Sequence, residues 1–82
     1  MAGKSEPDPD DLRVGQKIRE LRLEQGLTLE GLAFEAGVDK GHLSRIERGL
    51  LSPTLRTLRS LAGRLEVPVA ELLGAAGGSR EP

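Results

Sequence analysis

Cysteine, tryptophan and tyrosine are missing from these 82 residues, and phenylalanine occurs once. Without cysteine there is no disulfide framework and no thiolate metal site. With a single aromatic residue, any core has to be built from Leu, Val, Ile and Ala, which occur only in short clusters. No apolar run approaches the roughly 18 residues of a membrane span, and the charged, proline-containing start lacks the character of a signal peptide. A cytoplasmic protein is expected. Catalytic parts are scarce as well. One histidine, no phosphate loop and no nucleophile–base constellation argue against an enzyme. No cofactor, metal or small-molecule ligand is expected.

A strong excess of positive charge is also lacking. The formal net charge is −1, whereas a basic domain is the usual footprint of nucleic-acid binding. The distribution tells more than the sum. Residues 1–11 carry Glu6, Asp8, Asp10 and Asp11 against Lys4, a balance of −3. Residues 40–64 carry Lys40, Arg45, Arg48, Arg56, Arg59 and Arg64 against Glu47, a balance of +5. Such segregation is compatible with a phosphate-facing surface, and equally with an ordinary solvated face.

What is present is helical periodicity, without alternating strand patterns. Residues 1–10 are polar, acidic and interrupted by two prolines, so they are expected to form a disordered arm. Residues 75–82 are expected to be a flexible tail. The domain between them, 11–74, is expected to be all-α, a compact bundle of five helices. The first should begin near Asp10 or Asp11, bury Val14, Ile18 and Leu21, and end at Gly26. Thr28 suits the cap of a second helix with Leu29, Leu32, Ala33 and Ala36 inward, stopped by Gly37. Asp39 suits the cap of a third, which buries Leu43 and Ile46 and stops at Gly49. Thr54 should cap a fourth, whose inner positions are Leu55, Leu58, Leu61, Ala62 and Leu65. Val67-Pro68 breaks the chain before a short fifth helix over Val69 to Leu73, with Pro68 at or beside its first turn.

The stretch from Leu29 to Arg48 is the most informative. Two short helices meeting at a sharp angle need a small residue at their closest approach, and Ala33 meets that need. The turn needs a residue tolerant of positive φ, and Gly37 stands there. Val38 then plugs the turn, while Leu43 and Ile46 anchor the following helix. These are the positions that a helix-turn-helix constrains.

The segments IRELRLEQGLTLEGLA, AGVDKGHLSRIERG and SPTLRTLRSLAGRLEVPVAELL resemble the Cro/CI-type (XRE) helix-turn-helix regulators, which have the fold of the lambda-repressor DNA-binding domain. The resemblance spans residues 18–73. It implies a transcriptional regulator of double-stranded DNA whose third helix, residues 39–48, enters the major groove. The matching exposed positions are Lys40, Gly41, Ser44, Arg45 and Arg48. Lys40 and Arg45 suit guanine O6 and N7, Ser44 a base or a phosphate, and Arg48 the backbone. Thr28 and the amino end of the second helix would meet another phosphate. Gly41 departs from the pattern by removing a side chain where a base reader is usual, and Pro68 replaces the usual hydroxyl cap. The resemblance also implies a partly buried Arg22–Glu47 ion pair between the first and third helices. Arg56 and Arg59 are expected to be solvated, and His42 to half-pack beside Leu43.

One helix reads too few base pairs for useful specificity, so a homodimer on an inverted repeat is expected. In so short a chain its contact should come from the bundle, with Leu50, Leu51, Val69, Leu72 and Leu73 as candidates. For Leu50 and Leu51, covering the core from outside is an equal alternative. A rival function is an antitoxin or adaptor module that uses the same bundle to hold a protein partner.

Overall fold

A computed structural model describes residues 7–74, folded into five helices and no strand among those residues. The helices are α1 (Pro9–Glu24), α2 (Leu29–Ala36), α3 (Lys40–Glu47), α4 (Leu55–Leu65) and α5 (Val69–Leu72).

Side chains chosen by the local sequence start each of the first four helices. Thr28 accepts from the Gly31 N–H at 2.9 Å, Asp39 from the His42 N–H at 3.1 Å, and Thr54 from the Thr57 N–H at 3.1 Å. All three caps stand where the sequence puts them. The first helix differs. It starts at Pro9, with Asp8 as its cap, accepting from the N–H of Asp10 at 2.7 Å. Proline is suited to this position because the N–H it lacks would have had no intrahelical partner. Pro9 and Asp10 therefore belong to α1 and not to an acidic arm. Residues 1–6 of that arm and the tail 75–82 lie outside the described residues.

Left-handed glycines end four of the helices, Gly74 after α5 among them. Gly26, Gly37 and Gly49 have φ of 72°, 72° and 76°, a left-handed conformation that a Cβ penalises. Glu66 takes the same conformation after α4, at φ 63°, without being glycine. Nothing in the sequence marks it. The fifth helix is a single turn from Val69 to Leu72, with Pro68 at its cap position and no side-chain cap, and Leu73 falls just past its end.

The core is aliphatic throughout. Ile18, Leu32, Leu43, Ile46, Leu61 and Leu72 have no measurable exposure, and Val14, Leu21, Ala33, Leu58, Ala62 and Leu65 complete the cluster. Ala33 is 2% exposed, which lets α2 close on its neighbours. Leu55 corrects the expected inner face of α4. It lies at the first position of the helix, beyond the edge of the core, and is 55% exposed. Phe34, the sole aromatic residue, points away from the core at 86% exposure.

Two contacts fix α1 against α3. A Cβ on Gly15 would overlap the Ile46 carbonyl oxygen and approach that of Glu47 to 2.8 Å, so glycine at this position allows the two backbones to touch. Beside it, Arg22 grips Glu47 with two hydrogen bonds, Nε to Oε2 at 2.7 Å and Nη2 to Oε1 at 3.0 Å. The third nitrogen, Nη1, donates to the Leu27 carbonyl at 2.9 Å. The hydrogen bond to Glu47 holds the Arg22 guanidinium above its ordinary pKa, against the opposing effect of burial. Peripheral ties add to this frame. Gln25 donates to the Leu65 carbonyl at 2.7 Å, Lys17 pairs with Glu71 at 3.2 Å, and Arg64 pairs with Glu35.

Candidate nucleic-acid interface

The helix-turn-helix follows from the frame just described. Buried Leu32 and Ala33 on α2, and Leu43, Ile46 and Glu47 on α3, leave the opposite side of α3 to solvent. Gly37 turns the chain between them, and the Val38 N–H closes on the Ala33 carbonyl at 2.8 Å. Val38 packs against the core, as the turn requires.

The six expected residues are placed as follows. Lys40 is the first residue of the helix and is exposed. Gly41 and Ser44 are half-buried on the same stripe, and Arg45 is exposed beside them. Arg48 is also exposed but caps the C-terminus instead of continuing the helix, with its Nε donating to the Ser44 carbonyl at 3.3 Å. Thr28 is exposed at the start of α2, its hydroxyl oxygen engaged by the Gly31 N–H. The N–H groups of Leu29 and Glu30, in the first turn of α2, have no acceptor within the helix.

Gly41 has a local consequence that its helix propensity hides. A Cβ there would stand 3.1 Å from the Asp39 carboxylate and 3.9 Å from both terminal nitrogens of Arg45. The Arg45 guanidinium thus lies back along the helix over Gly41, near the capping carboxylate. A side chain there would crowd the Asp39 carboxylate.

Two further residues join the surface from α1. Gln16 and Arg19 line a shallow cleft of about 530 Å³, together with Leu12, Arg22, Leu29, Ser44, Glu47 and Arg48. Arg19 of α1 and Arg48, the C-terminal cap of α3, line the same cleft. The sequence alone does not single out these two α1 residues, because its periodicity assigns one stripe of α1 to the core and the rest to solvent. No local signal marks them, since the contact of neighbouring Gly15 with α3 is set by the fold.

The leading end of α3 also carries acid. The Lys40 ammonium donates to Glu30 Oε2 at 2.9 Å across the turn. This hydrogen bond holds the Glu30 carboxyl below its ordinary pKa and the Lys40 ammonium above its own. Arg56 and Arg59 of α4 are exposed, and His42 is half-buried, as expected. No group of His, Asp and Glu able to hold a metal ion occurs among the described residues. No helix there is long and apolar enough to cross a membrane.

Of the five residues considered for a contact between copies, the structure removes Leu72, which has no exposed surface. Leu51 and Val69 are half-buried and pack on the core. Leu50 and Leu73 present apolar surface outward, at 53% and 41% exposure.

Residues 18–72 match the family described as "Helix-turn-helix". The HTH-type transcriptional regulator DdrOP3 of Deinococcus deserti is 40% identical over 62 residues, which cover 76% of this chain and 48% of that protein. The restriction-modification controller protein C.AhdI from Aeromonas hydrophila superposes with a TM-score of 0.77 at 37% identity, covering 79% of this chain and 98% of that one. SinR, the master regulator for biofilm formation, has been crystallised in complex with DNA. It superposes with a TM-score of 0.71 at 43% identity, covering 73% of this chain and 97% of that one. The chain spans about half the length of the curated relatives it matches. With a core, a turn and a buried Arg22–Glu47 clasp arranged as the resemblance implied, the chain belongs to the Cro/CI-type (XRE) helix-turn-helix family.

Proposed function

We propose that this chain is a sequence-specific regulator of transcription that binds double-stranded DNA with α3 in the major groove. The observation that carries this reading is the outer stripe of α3. Lys40, Ser44 and Arg45 stand there, around a glycine, on a helix held rigidly from behind by Leu43, Ile46 and Glu47. The groove of B-DNA is about 12 Å wide and admits one such helix. Lys40 and Arg45 are then the donors to guanine edges, and Ser44 contacts a base or a phosphate. Arg48, Arg19 and the amino end of α2 with Thr28 are the candidates for contacts to the DNA backbone.

In this reading the protein works as a homodimer on an inverted repeat, with half-sites about 34 Å apart on one face of the duplex. Of the five residues considered for the contact, Leu50 and Leu73 are the ones that keep exposed apolar surface for it. Selection of bound sequences from random duplex DNA, followed by gel shifts of the selected site, tests the assignment. The expected result is salt-sensitive binding that falls at individual base pairs on Lys40→Ala and Arg45→Ala, with a loss of about 1–3 kcal/mol for a bidentate contact. Arg48→Ala and Arg19→Ala should weaken all sequences alike and flatten the salt dependence, by about 0.9 in slope for each phosphate no longer neutralised. Absence of binding to any duplex would overturn the assignment.

A further inference from the structure

Lys40 and Glu30 are ten residues apart and belong to different helices, yet their side chains meet in front of the turn. Burial does not force them together, since the two side chains remain 56% and 73% exposed. Exposed pairs of this kind add little to stability, and the fold has stronger ties between α2 and α3 in Leu32, Leu43 and Ala33. Nor does Glu30 have a capping duty, because Thr28 fills that role for α2. The other carboxylate at this end, Asp39, is occupied by the His42 N–H. Glu30 thus has one polar partner among the described residues, and that partner is the leading cation of the proposed recognition helix.

The pairing changes what Lys40 can do. A free lysine is a compact charge on a flexible stem, able to swing to whichever phosphate is nearest. An ammonium has three donors. With one of them committed to Glu30, the ammonium is tethered at the turn and its charge is offset by the carboxylate. A neutralised, oriented donor gains little from the backbone and retains its hydrogen bonds for a base edge.

We propose that Glu30 is a positioning residue for base readout, which withholds Lys40 from the DNA backbone and presents it to the groove. The pair, and not Lys40 alone, then sets the preference at the leading end of α3. This inference rests on the DNA-binding reading above.

A double-mutant cycle on the full chain tests it, using Glu30→Gln, Lys40→Met and the double variant against the selected duplex and its single-base-pair variants. Released from Glu30, Lys40 should engage a phosphate. Glu30→Gln is therefore expected to steepen the salt dependence by about 0.9 in slope and to reduce discrimination at one base pair about tenfold. In the Lys40→Met background the same substitution should change neither quantity. Glu30 is exposed, so all variants should melt as the parent does. Equal effects of Glu30→Gln in both backgrounds, or an unchanged salt slope and base preference in a wild-type protein that binds, would overturn the positioning role alone. A wild-type chain that binds no duplex would overturn the DNA-binding reading and this role with it.

Discussion

Gly15 and Gly63 occupy the interiors of α1 and α4, where glycine costs about 1 kcal/mol relative to alanine, and they answer to different causes. Around Gly63 nothing lies within 4 Å of the position a Cβ would take, so the cost has no compensating contact. Around Gly15 the carbonyls of Ile46 and Glu47 fill that space. The same substitution should therefore change sign between the two sites. Gly63→Ala is expected to stabilise by about 1 kcal/mol. Gly15→Ala should destabilise by about 3 kcal/mol or more, because backbone atoms of α3 cannot yield as a side chain would. Urea titration of the two variants beside the parent measures both. The sequence states that each glycine is expensive but not why, since the α3 carbonyls that justify Gly15 belong to a distant part of the chain. Gly37 and Gly49 are legible for the opposite reason: the turn that needs their positive φ is local. Glu66, equally left-handed, carries no local mark at all.

At the scale of the helix, the starts are the most readable feature. Thr28, Asp39 and Thr54 each precede an apolar stripe and accept from the N–H three residues on, a relation contained in a short local stretch. Asp8 caps α1 in the same manner but is hidden by its surroundings, because residues 1–11 combine prolines and acids in the proportions of a disordered arm. The pairing of α1 with α3 is a longer-range matter, and the Arg22–Glu47 clasp is legible only through family resemblance. Its energetics are asymmetric. Arg22→Ala leaves Glu47 buried without a partner, at a cost of about 3–5 kcal/mol, comparable to the whole stability of so small a domain. The paired replacement Arg22→Met with Glu47→Leu removes both charges and should recover much of that loss. Recovery should stop short of complete, because the Leu27 carbonyl also loses the donor it has in Arg22. Thermal melts of the single and paired variants check the order: parent highest, paired variant next, Arg22→Ala lowest. A paired variant no more stable than Arg22→Ala would contradict this account of the clasp.

For the molecule as a whole, a net charge of −1 conceals an uneven arrangement of charge. Lys40, Arg45 and Arg48 come to one side because α3 is pinned from the other, and Arg19 joins them through α1. A segment sum over residues 40–64 finds part of this surface, yet it also counts Arg56 and Arg59 on α4 and misses Arg19. Spatial assembly, and not the order of residues, makes the difference. The same holds for contact between copies. Five leucine and valine positions look equivalent in the sequence, but packing has consumed Leu72 entirely and Leu51 and Val69 in part. Only Leu50 and Leu73 of the five remain exposed, one before α4 and the other after α5. If two copies associate through that surface, Leu50→Asp with Leu73→Asp should leave the monomer folded, because neither side chain is part of the core. The variant should keep its affinity for an isolated half-site and lose the cooperative gain on the inverted repeat, which in the parent multiplies affinity by about 10²–10⁴ through effective concentration. Its melting temperature should also cease to depend on protein concentration, as expected once dimerisation no longer draws on the folded state. Gel shifts on one and two half-sites, with sedimentation of the free protein, separate the outcomes. A parent that is monomeric at all concentrations, or a variant equally cooperative on the repeat, would place the contact elsewhere on the bundle.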